Sequence, residues 1–520
     1  MLFNSYPFIF FFLPLCLLGY FVLLQWNPIY AKASLLLSSL FFYGYWNINY
    51  LPLLLASILI NFFIASKMAV GTAPSGGGEQ EKEELGEDGA GRWSRKAWLT
   101  LGISFNLLLL GFFKYTDFFL ENFNLFSYFL LGASSLSHSP IPLPHLILPL
   151  AISFFTFQQI AYLCDAYRGC LADSLLDYAL FVSFFPQLIA GPIVNHKEMM
   201  PQFHTLRPFK IDRFTRGLFL FSVGLFKKVV LADGFALYAD NGFSASLQGT
   251  PLNFFESWLT ALSYTFQLYF DFSGYCDMAM GLALFFGIRL PINFNSPYQA
   301  LNIQEFWKRW HITLGQFLSQ YLYRPLGGSQ RGRIKTLRNI GIVFLLSGLW
   351  HGAGWGFVIW GALHAMAMIL HRVYGYCLEG LGFHAPQNLP YKVLCWILTF
   401  GFVTLSWVFF RAETLPSALN LLKGMAGGYG IVLPDLSDLQ AIEKWLKVDF
   451  PTYKTISDLL TLMAMIGFSA LLIFWHPNST GILRTKHFHT SQILLYSFLF
   501  ALSLLQMLGG NQTSFLYFNF

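Results

Sequence analysis

The stretch from Leu345 to Phe357 reads LLSGLWHGAGWGF, and it places His351 inside an apolar run with closely spaced glycines. A polar side chain left without a partner in an apolar interior is strongly unfavourable, so this histidine must be hydrogen-bonded or used. Gly348 and Gly352 remove side-chain bulk and permit close helix contact or a broken helix. The run therefore leaves two structures open around a histidine that must be satisfied or used: a close helix contact or a broken helix.

The composition places this run in a membrane protein. Of the 520 residues, 55% are hydrophobic and only 11% are charged, whereas soluble proteins carry about 25% charged residues. Apolar segments recur from end to end at the length of roughly 17 to 25 residues that crosses a bilayer. The sequence predicts an all-α, polytopic integral membrane protein with about 11 to 13 transmembrane helices plus interfacial and re-entrant helices.

One segment departs from this pattern. Residues 71–96 are glycine-rich and acidic, and such a composition cannot bury enough apolar surface to order itself. We expect a flexible cytoplasmic loop, which is either a solvated insert or a docking site for a soluble partner. The chain otherwise reads as a single transmembrane domain over residues 1–520, with a motif core at about 267–365 and an aromatic carboxyl-terminal tail at 509–520.

The charges predict the orientation in the membrane. Lysine and arginine collect in short connections at 197–216, 324–338 and 484–486, and positively charged flanks stay in the cytoplasm. The carboxyl terminus is then expected on the outer face. The net charge of +6 is the excess that such loops carry, so it does not indicate nucleic-acid binding.

Two acids stand in the apolar segment YFDFSGYCDMAMG. Asp271 and Asp277 are candidates for a functional role because acids are costly to bury in a membrane. They are six residues apart and do not share a helical face, so we do not expect a carboxylate pair. The alternative is a structural role, with hydrogen bonds to nearby backbone or to Ser273.

The next segment, NFNSPYQALNIQEFWKRWHITLGQFLSQYLYRPLGG, spans residues 293–328 and carries a second histidine. From Ile303 onward its apolar residues, including Phe306 and Trp310, recur with helical period. The mixture of aromatic and basic residues is typical of an amphipathic helix at the cytoplasmic interface. His311 ends the polar half of this helix.

His351 follows His311 by forty residues, so the two can meet only if the backbone re-enters the protein interior. A neutral imidazole in a water-poor site is a good proton acceptor, whereas a lone histidine on an apolar face is commonly a satisfied core residue. A metal site is not indicated, because no Asp, Glu or Cys stands at ligand spacing near His351. His364 is expected to be structural or interfacial. Phosphate-binding, dinucleotide-binding and serine-hydrolase motifs are absent from the sequence.

Several blocks together resemble a known family. YFDFSGYCDMAMG, NFNSPYQALNIQEFWKRWHIT, YLYRPLGG and GLWHGAGWGFVIWGALHA, which lie between Gln267 and Ala365, are similar to the signature blocks of bacterial membrane-bound O-acyltransferases. Within that family, the blocks of this sequence are most similar to those of the alginate O-acetyltransferase-like branch. The resemblance implies a ring of spans around a thinned centre, with a funnel or tunnel that joins the two faces.

The resemblance also implies an activity and a site. Acyl groups from a cytoplasmic donor such as acetyl-CoA would pass toward an exported polysaccharide such as alginate, with an extracytoplasmic SGNH-type partner and no bound cofactor or metal. The family's signature histidine falls on His351, as general base for the accepting hydroxyl, and the second motif position falls on His311, which would orient or polarise the donor. The expected tunnel and motif residues are Trp310, Trp350, Asn295, Asp271 and Asp277.

The tail GGNQTSFLYFNF adds Tyr517. It is either an aromatic anchor at the membrane edge or, as the resemblance implies, an acyl relay whose phenol ester is an activated carrier. Other activities stay open: D-alanyl transfer to teichoic acid, acetyl transfer to peptidoglycan, or non-enzymatic transport of lipid-linked sugar. We expect a multi-pass protein of the bacterial inner membrane in contact with membrane lipids.

Overall fold

The computed structural model shows an all-helical chain, as the sequence predicts. It describes residues 1–69, 94–131, 141–170, 174–189, 191–383, 385–431, 456–475, 478–485, 487–509 and 515–516. Within these residues the regular structure consists of helices, and no strand is present.

The helices are numbered along the chain, and most are long. Short π-helical segments continue three of them at Phe8–Phe12, Lys227–Ala232 and Ser319–Tyr323. The helices are α1 (Leu13–Trp26), α2 (Pro28–Trp46), α3 (Leu51–Ala69), α4 (Arg95–Leu131), α5 (Ile152–Tyr167), α6 (Leu175–Ser183), α7 (Phe185–Leu188), α8 (His196–His204), α9 (Ile211–Phe226), α10 (Asp233–Leu247), α11 (Phe254–Phe285), α12 (Ile303–Arg309), α13 (Ile312–Leu318), α14 (Arg333–His351), α15 (Trp355–Leu381), α16 (Leu389–Arg411), α17 (Leu415–Met425), α18 (Ile456–Phe474) and α19 (Thr490–Leu508).

Within the described residues, six helical segments are long and apolar enough to cross a membrane, which confirms the polytopic character. The higher count of spans stays a prediction, because the remaining helices are shorter or less apolar. The six segments are Phe8–Trp26, Ile48–Met68, Arg95–Phe129, Trp355–Leu381, Leu389–Arg411 and Thr490–Leu508.

Helix α11 is the core of the molecule. Every residue from Ser263 to Phe285 is buried, and a helix that is buried all round must be enclosed by other helices. Helix α9 packs closest to it through glycines. A Cβ added at Gly217 would lie 2.7 Å from the Gly281 carbonyl oxygen, and one added at Gly224 would lie 2.5 Å from that of Gly274. Small residues at matching positions thus allow the two backbones to touch.

Helices α14 and α15 form a hairpin, and the glycine-spaced run from Leu345 to Phe357 connects them. A Cβ at Gly348 would lie 2.4 Å from the Phe357 carbonyl oxygen, and one at Gly352 would lie 2.0 Å from the Phe357 ring. The glycine-spaced run thus makes the close helix contact that its sequence permits. At the other end of the hairpin Arg333 lies 3.6 Å from Glu379, so α14 begins and α15 ends at the same face.

The predicted amphipathic helix exists but is broken at His311. Helix α12 ends at Arg309 and α13 begins at Ile312. The connection 293–295 lies along the break: Asn295 N–H donates to the Arg309 carbonyl (2.9 Å), and Ile312 N–H donates to the Asn293 carbonyl (3.0 Å). These hydrogen bonds replace bonds within a helix. The side-chain period of the sequence remains helical across the break, so it does not show where α12 ends.

Candidate active site

His311 lies at this break in a conformation that few side chains adopt. Its φ of 44° is in the left-handed region, where a residue other than glycine is strained. The imidazole is fully buried, and Nδ1 lies 3.1 Å from the side-chain oxygen of Asn293. The same oxygen accepts hydrogen bonds from the backbone N–H of Thr313 (3.2 Å) and from its hydroxyl (2.9 Å). Asn293 therefore ties His311 to the first turn of α13.

These bonds determine which nitrogen of His311 carries the proton. A backbone N–H can only donate, so the Asn293 atom that faces Thr313 must be the amide oxygen. His311 Nδ1 shares that oxygen and must itself donate to it. In a neutral imidazole the other nitrogen then holds the lone pair. The neutral ring of His311 therefore presents Nε2 as a proton acceptor.

His351 is the last residue of α14, and α4 holds its backbone in place. The last carbonyls of a helix have no partner within the helix, and lysine side chains often supply one. The Lys114 amine donates to the carbonyls of Trp350 (2.5 Å) and His351 (3.0 Å). The adjacent Tyr115 hydroxyl donates to the Leu349 carbonyl (2.5 Å). Helix α4 thus fixes the position from which the buried His351 side chain leaves α14.

The indole of Trp350 brings the two histidines to one place. Its ring centroid lies 4.9 Å from that of His351 and 6.3 Å from that of His311. The indole itself stacks on Phe157 at 5.0 Å, and its N–H donates to the Ser153 carbonyl (3.4 Å). Two histidines that are forty residues apart in the sequence thus lie beside the same rigid side chain.

Aromatic rings surround the pair. His351 meets Trp360 at 5.1 Å and Phe410 at 5.3 Å, each nearly perpendicular, and His311 meets Phe272 edge to face at 4.9 Å. A shell of this kind excludes water and strengthens every electrostatic interaction inside it.

Trp310 belongs to the next layer of this shell. It is buried and packs on Trp407 at 5.1 Å. Trp407 in turn stacks on Trp360 at 5.7 Å, which is one of the rings against His351. Trp310 therefore supports the histidine site through intermediate rings.

A cavity of about 790 Å³ lies beside the histidines. Ile312 and Thr313, which adjoin His311, line it, and so does Ser347, one helical turn before His351. The two histidines lie behind this lining. The basic residues that line the cavity are Lys308, Arg324 and Arg372.

His364 lies close by, but its ring nitrogens are both engaged. The Trp307 indole N–H donates to Nδ1 (3.2 Å), and Nε2 lies 3.0 Å from the Ser406 hydroxyl, to which it donates in that tautomer. A ring held in this way has the bonding of a structural histidine, the role expected from the sequence.

The two membrane acids have lysine partners, which the sequence analysis did not consider. Lys228 lies 2.7 Å from Asp271 and 2.8 Å from Asp233, and Lys227 lies 2.7 Å from Asp277. We call these five residues the lysine–aspartate cluster. The two consecutive lysines reach acids six residues apart because they lie on the π-helical segment at the end of α9, where the helix is locally widened.

The lysine–aspartate cluster also holds two segments from the end of the chain. Asp277 accepts a hydrogen bond from the Ser479 hydroxyl (2.9 Å), and Asp271 accepts one from the Leu516 backbone N–H (3.0 Å). Phe515 is buried, with its ring 5.7 Å from that of Phe272. The described part of the tail therefore lies beside the ring that touches His311.

Other predicted residues stand apart from this centre. The Asn295 side chain is exposed, and its backbone pairs with Arg309. Tyr517 and most of the predicted acidic loop at 71–96 lie outside the described residues. Among the residues that are described, no group of three metal-ligating side chains comes together.

Sequence reasoning missed two residues of the site. Lys114 was detectable, because it is a single charge within LLLLGFFKYT, and charges inside a span are functional candidates. Asn293 had no such signal. It differs from Asn295 only in which of two neighbouring asparagines turns inward, and that depends on how 293–295 pairs with the break at His311.

The fold and site define a class: a multi-span helical membrane protein that encloses two histidines beside a cavity. Residues 173–410 match the model of the membrane-bound O-acyltransferase family. A peptidoglycan O-acetyltransferase of Helicobacter pylori is 46% identical over 100% of this chain and 98% of its own length. A probable alginate O-acetylase of Azotobacter vinelandii is 36% identical over 94% of this chain and 88% of its own length.

The chain belongs to the membrane-bound O-acyltransferase family, as its motif blocks predicted. A teichoic acid D-alanyltransferase of Bacillus subtilis is also similar, but it is 29% identical over only 54% of this chain and 73% of its own length. The relatives that match nearly the whole chain are thus named as O-acetyltransferases.

Proposed function

We propose that this protein passes an acetyl group from acetyl-CoA on the cytoplasmic side of the bacterial inner membrane toward the O-acetylation of an exported glycan. The observation that carries the proposal is the buried pair His311 and His351, which lie beside one indole and behind the lining of a cavity. Proton-accepting groups in a dry site suit the attack of a hydroxyl on a thioester.

The cavity suits the donor. Lys308, Arg324 and Arg372 line it, and basic side chains are the groups that bind the phosphates of a nucleotide. It lies next to the connection 324–338, which the charge pattern assigns to the cytoplasm. Acetyl-CoA would enter from there with its thioester toward the histidines.

The balanced reaction forms a C–O bond and breaks the C–S bond. His351 takes the proton of the accepting hydroxyl, the oxygen attacks the acetyl carbonyl, and the CoA sulfur leaves and collects a proton. The Asn293 hydrogen bond makes Nε2 of neutral His311 an acceptor. His311 therefore suits receiving a hydrogen bond from hydroxyl or thiol, and it could polarise the donor carbonyl only when protonated.

We also propose that Tyr517 is the first acceptor. The relay is supported by its neighbours: Phe515 is buried and Leu516 is bound to Asp271 in the interior, whereas an anchor at the membrane edge would leave them among lipids. Tyr517 would take the acetyl group as a phenol ester and pass it to an extracytoplasmic SGNH-type partner. That partner would complete transfer to the polymer.

For the polymer we propose peptidoglycan first, because the peptidoglycan O-acetyltransferase relative matches the chain from end to end. Alginate is the second candidate and rests on the alginate O-acetylase relatives. D-Alanyl transfer has weaker support, since that relative covers about half of the chain.

The experiment is mass spectrometry of the exported glycans from cells that express the protein or His351→Ala. We expect His351→Ala to abolish glycan O-acetylation while the protein still accumulates in the membrane. His364→Gln is the matched control, because it changes a buried histidine on the same hairpin whose bonds look structural. Acetylation that persists in His351→Ala would refute the assignment and favour a transporter.

Tyr517→Phe tests the relay separately. It keeps the aromatic ring and removes the hydroxyl, so an anchor predicts near-normal acetylation and a relay predicts its loss. Mass spectrometry of the carboxyl-terminal peptide should detect an acetyl group on Tyr517 in the parent protein but not in His351→Ala.

A further inference from the structure

A second cavity, of about 940 Å³, lies apart from the histidines. It is a groove between the second half of α15 and the first half of α16, and the start of α12 closes one end. Neither the acetyl transfer nor the motif blocks account for it. Its apolar and polar residues are segregated, and this segregation indicates what it binds.

The apolar wall faces away from the protein. Leu370, Leu394 and Leu398 line the groove, and they are 60%, 52% and 63% exposed. In a chain that spans a membrane, side chains exposed at this level face hydrocarbon. Phe402 and Ala367 continue the lining inward. This half of the groove is therefore suited to an acyl chain.

The other half is cationic and rich in tyrosine. Arg372 of α15 and Lys392 of α16 line it from opposite sides. The hydroxyls of Tyr374 and Tyr391 lie 3.2 Å apart, and this hydrogen bond connects the same two helices. The acid at the groove, Glu379, lies 3.6 Å from Arg333. Among the described residues, no carboxylate lies within ion-pair distance of Lys392.

We infer that this polar half lies at the level of the headgroups, from the face of the protein that it shares with a basic connection. The ion pair of Arg333 with Glu379 places it on the face of the connection 324–338, which the charge pattern assigns to the cytoplasm. Tyrosine is enriched at that depth. Basic pockets between membrane helices on the cytoplasmic side recognise anionic lipid headgroups.

We propose that this groove binds one anionic glycerophospholipid of the inner leaflet. Its phosphate would lie between Lys392 and Arg372, and one acyl chain would follow the leucines of α15 and α16. Gln304 and Arg372 line this groove and also the donor cavity. The bound lipid therefore forms part of the rim of the donor cavity.

The test is native mass spectrometry of the full-length protein in detergent, titrated with phosphatidylglycerol or phosphatidylcholine. We expect the parent protein to bind phosphatidylglycerol in preference. Lys392→Gln should reduce that preference about five-fold, because one basic residue contributes about 1 kcal/mol of attraction to anionic lipid. Lys423→Gln is the matched control: it removes a lysine that lies over the Tyr429 ring, on α17 and outside the groove.

A second variant tests the apolar half. Leu398→Trp should fill the groove and weaken binding of both lipids without changing the preference between them. Equal binding of both lipids by the parent protein, or an unchanged preference in Lys392→Gln, would overturn the proposal. A third outcome would also overturn it: if Lys392→Gln binds both lipids as the parent protein does but has a higher KM for acetyl-CoA when assayed without lipid, the groove binds the nucleotide and not a lipid.

Discussion

Two buried polar regions lie near Phe272 on α11, and they are built differently. On one side His311 is held by the neutral amide of Asn293 and surrounded by aromatic rings. On the other side the lysine–aspartate cluster pairs full charges at 2.7 to 2.8 Å. Both regions bury polar groups, but only the second pairs them through opposite charges.

The difference separates function from folding. A neutral hydrogen bond contributes about 1 kcal/mol, so its loss leaves the fold intact while it changes the orientation or protonation of a ring. A buried charge that loses its partner costs about 3–5 kcal/mol, which is a large share of the stability of most proteins. We therefore expect variants of the histidine centre to lose activity and variants of the lysine–aspartate cluster to lose the folded protein.

The largest effect should follow from Lys228→Met. It keeps most of the length of the side chain but leaves Asp271 and Asp233 without their shared cation. We expect a loss of about 3–5 kcal/mol, seen as low accumulation in the membrane and a lower Tm in detergent. Lys67→Met is the control, because Lys67 is exposed and lies over the Phe63 ring.

The triple variant Lys228→Met, Asp233→Asn, Asp271→Asn sharpens this expectation. It removes the charges together, and replacing a buried ion pair by neutral groups is often tolerated. We expect the triple variant to recover most of the lost Tm. If Lys228→Met has the same Tm as the parent protein, charge pairing does not stabilise this region.

Asn293→Ala should have the next largest effect, and it should act mainly on the rate. Without the Asn293 oxygen, the hydrogen bond that fixes the tautomer and orientation of His311 is lost. We expect kcat for acetyl transfer to fall about 10²-fold, at the lower end of what general acid–base groups contribute, with a smaller loss of folded protein than in Lys228→Met, because the hydrogen bonds that this oxygen accepts are neutral. Asn295→Ala is a matched control two residues away, whose exposed side chain should leave kcat unchanged.

A pH profile distinguishes orientation from simple packing loss in Asn293→Ala. Loss of the Asn293 acceptor changes how firmly the His311 ring holds its protons, so the pH dependence of kcat should shift, whereas a packing defect would lower the rate evenly. An Asn293→Ala protein with parent kcat would remove His311 tautomer control from the mechanism.

The fold was predictable because its determinants are local. The glycine spacing around His351 indicated that close helix contact or a broken helix is possible there, and composition predicted a helical membrane protein. The break at His311 was not predictable, because the period of 303–318 is helical throughout, and only pairing with 293–295 shows where the helix stops.

The site divides in the same way. His351 stood out because a polar ring in an apolar run is unusual, and the resemblance of the motif blocks added His311 and a role for both. The lysine partners of Asp271 and Asp277 were missed because they lie about fifty residues away, on a helix whose register a π-helical segment changes. Asn293 was missed in favour of Asn295 because which asparagine points inward is decided by a backbone pairing that no side-chain pattern records.

The smallest effects should come from Lys114 and Tyr115 of α4, which form a cap on the last carbonyls of α14. This cap shares a feature with each of the two regions, because a charged lysine binds neutral carbonyl groups there. Tyr115→Phe removes one hydrogen bond to Leu349 and should cost about 1 kcal/mol. Lys114→Met leaves two buried carbonyls, of Trp350 and His351, without this donor, and should cost about 2 kcal/mol. Thermal melts in detergent give the order of the two variants.

Activity per folded molecule then tells what the cap does. If α4 fixes the exit of His351 from α14, Lys114→Met should lower kcat about ten-fold beyond its loss of folded protein, because small displacements of a catalytic group are costly, and Tyr115→Phe should lower it less. If both variants keep the kcat of the parent protein, the close packing at the hairpin glycines is sufficient to hold His351 in place. The cap would then belong with the lysine–aspartate cluster, as a device for folding.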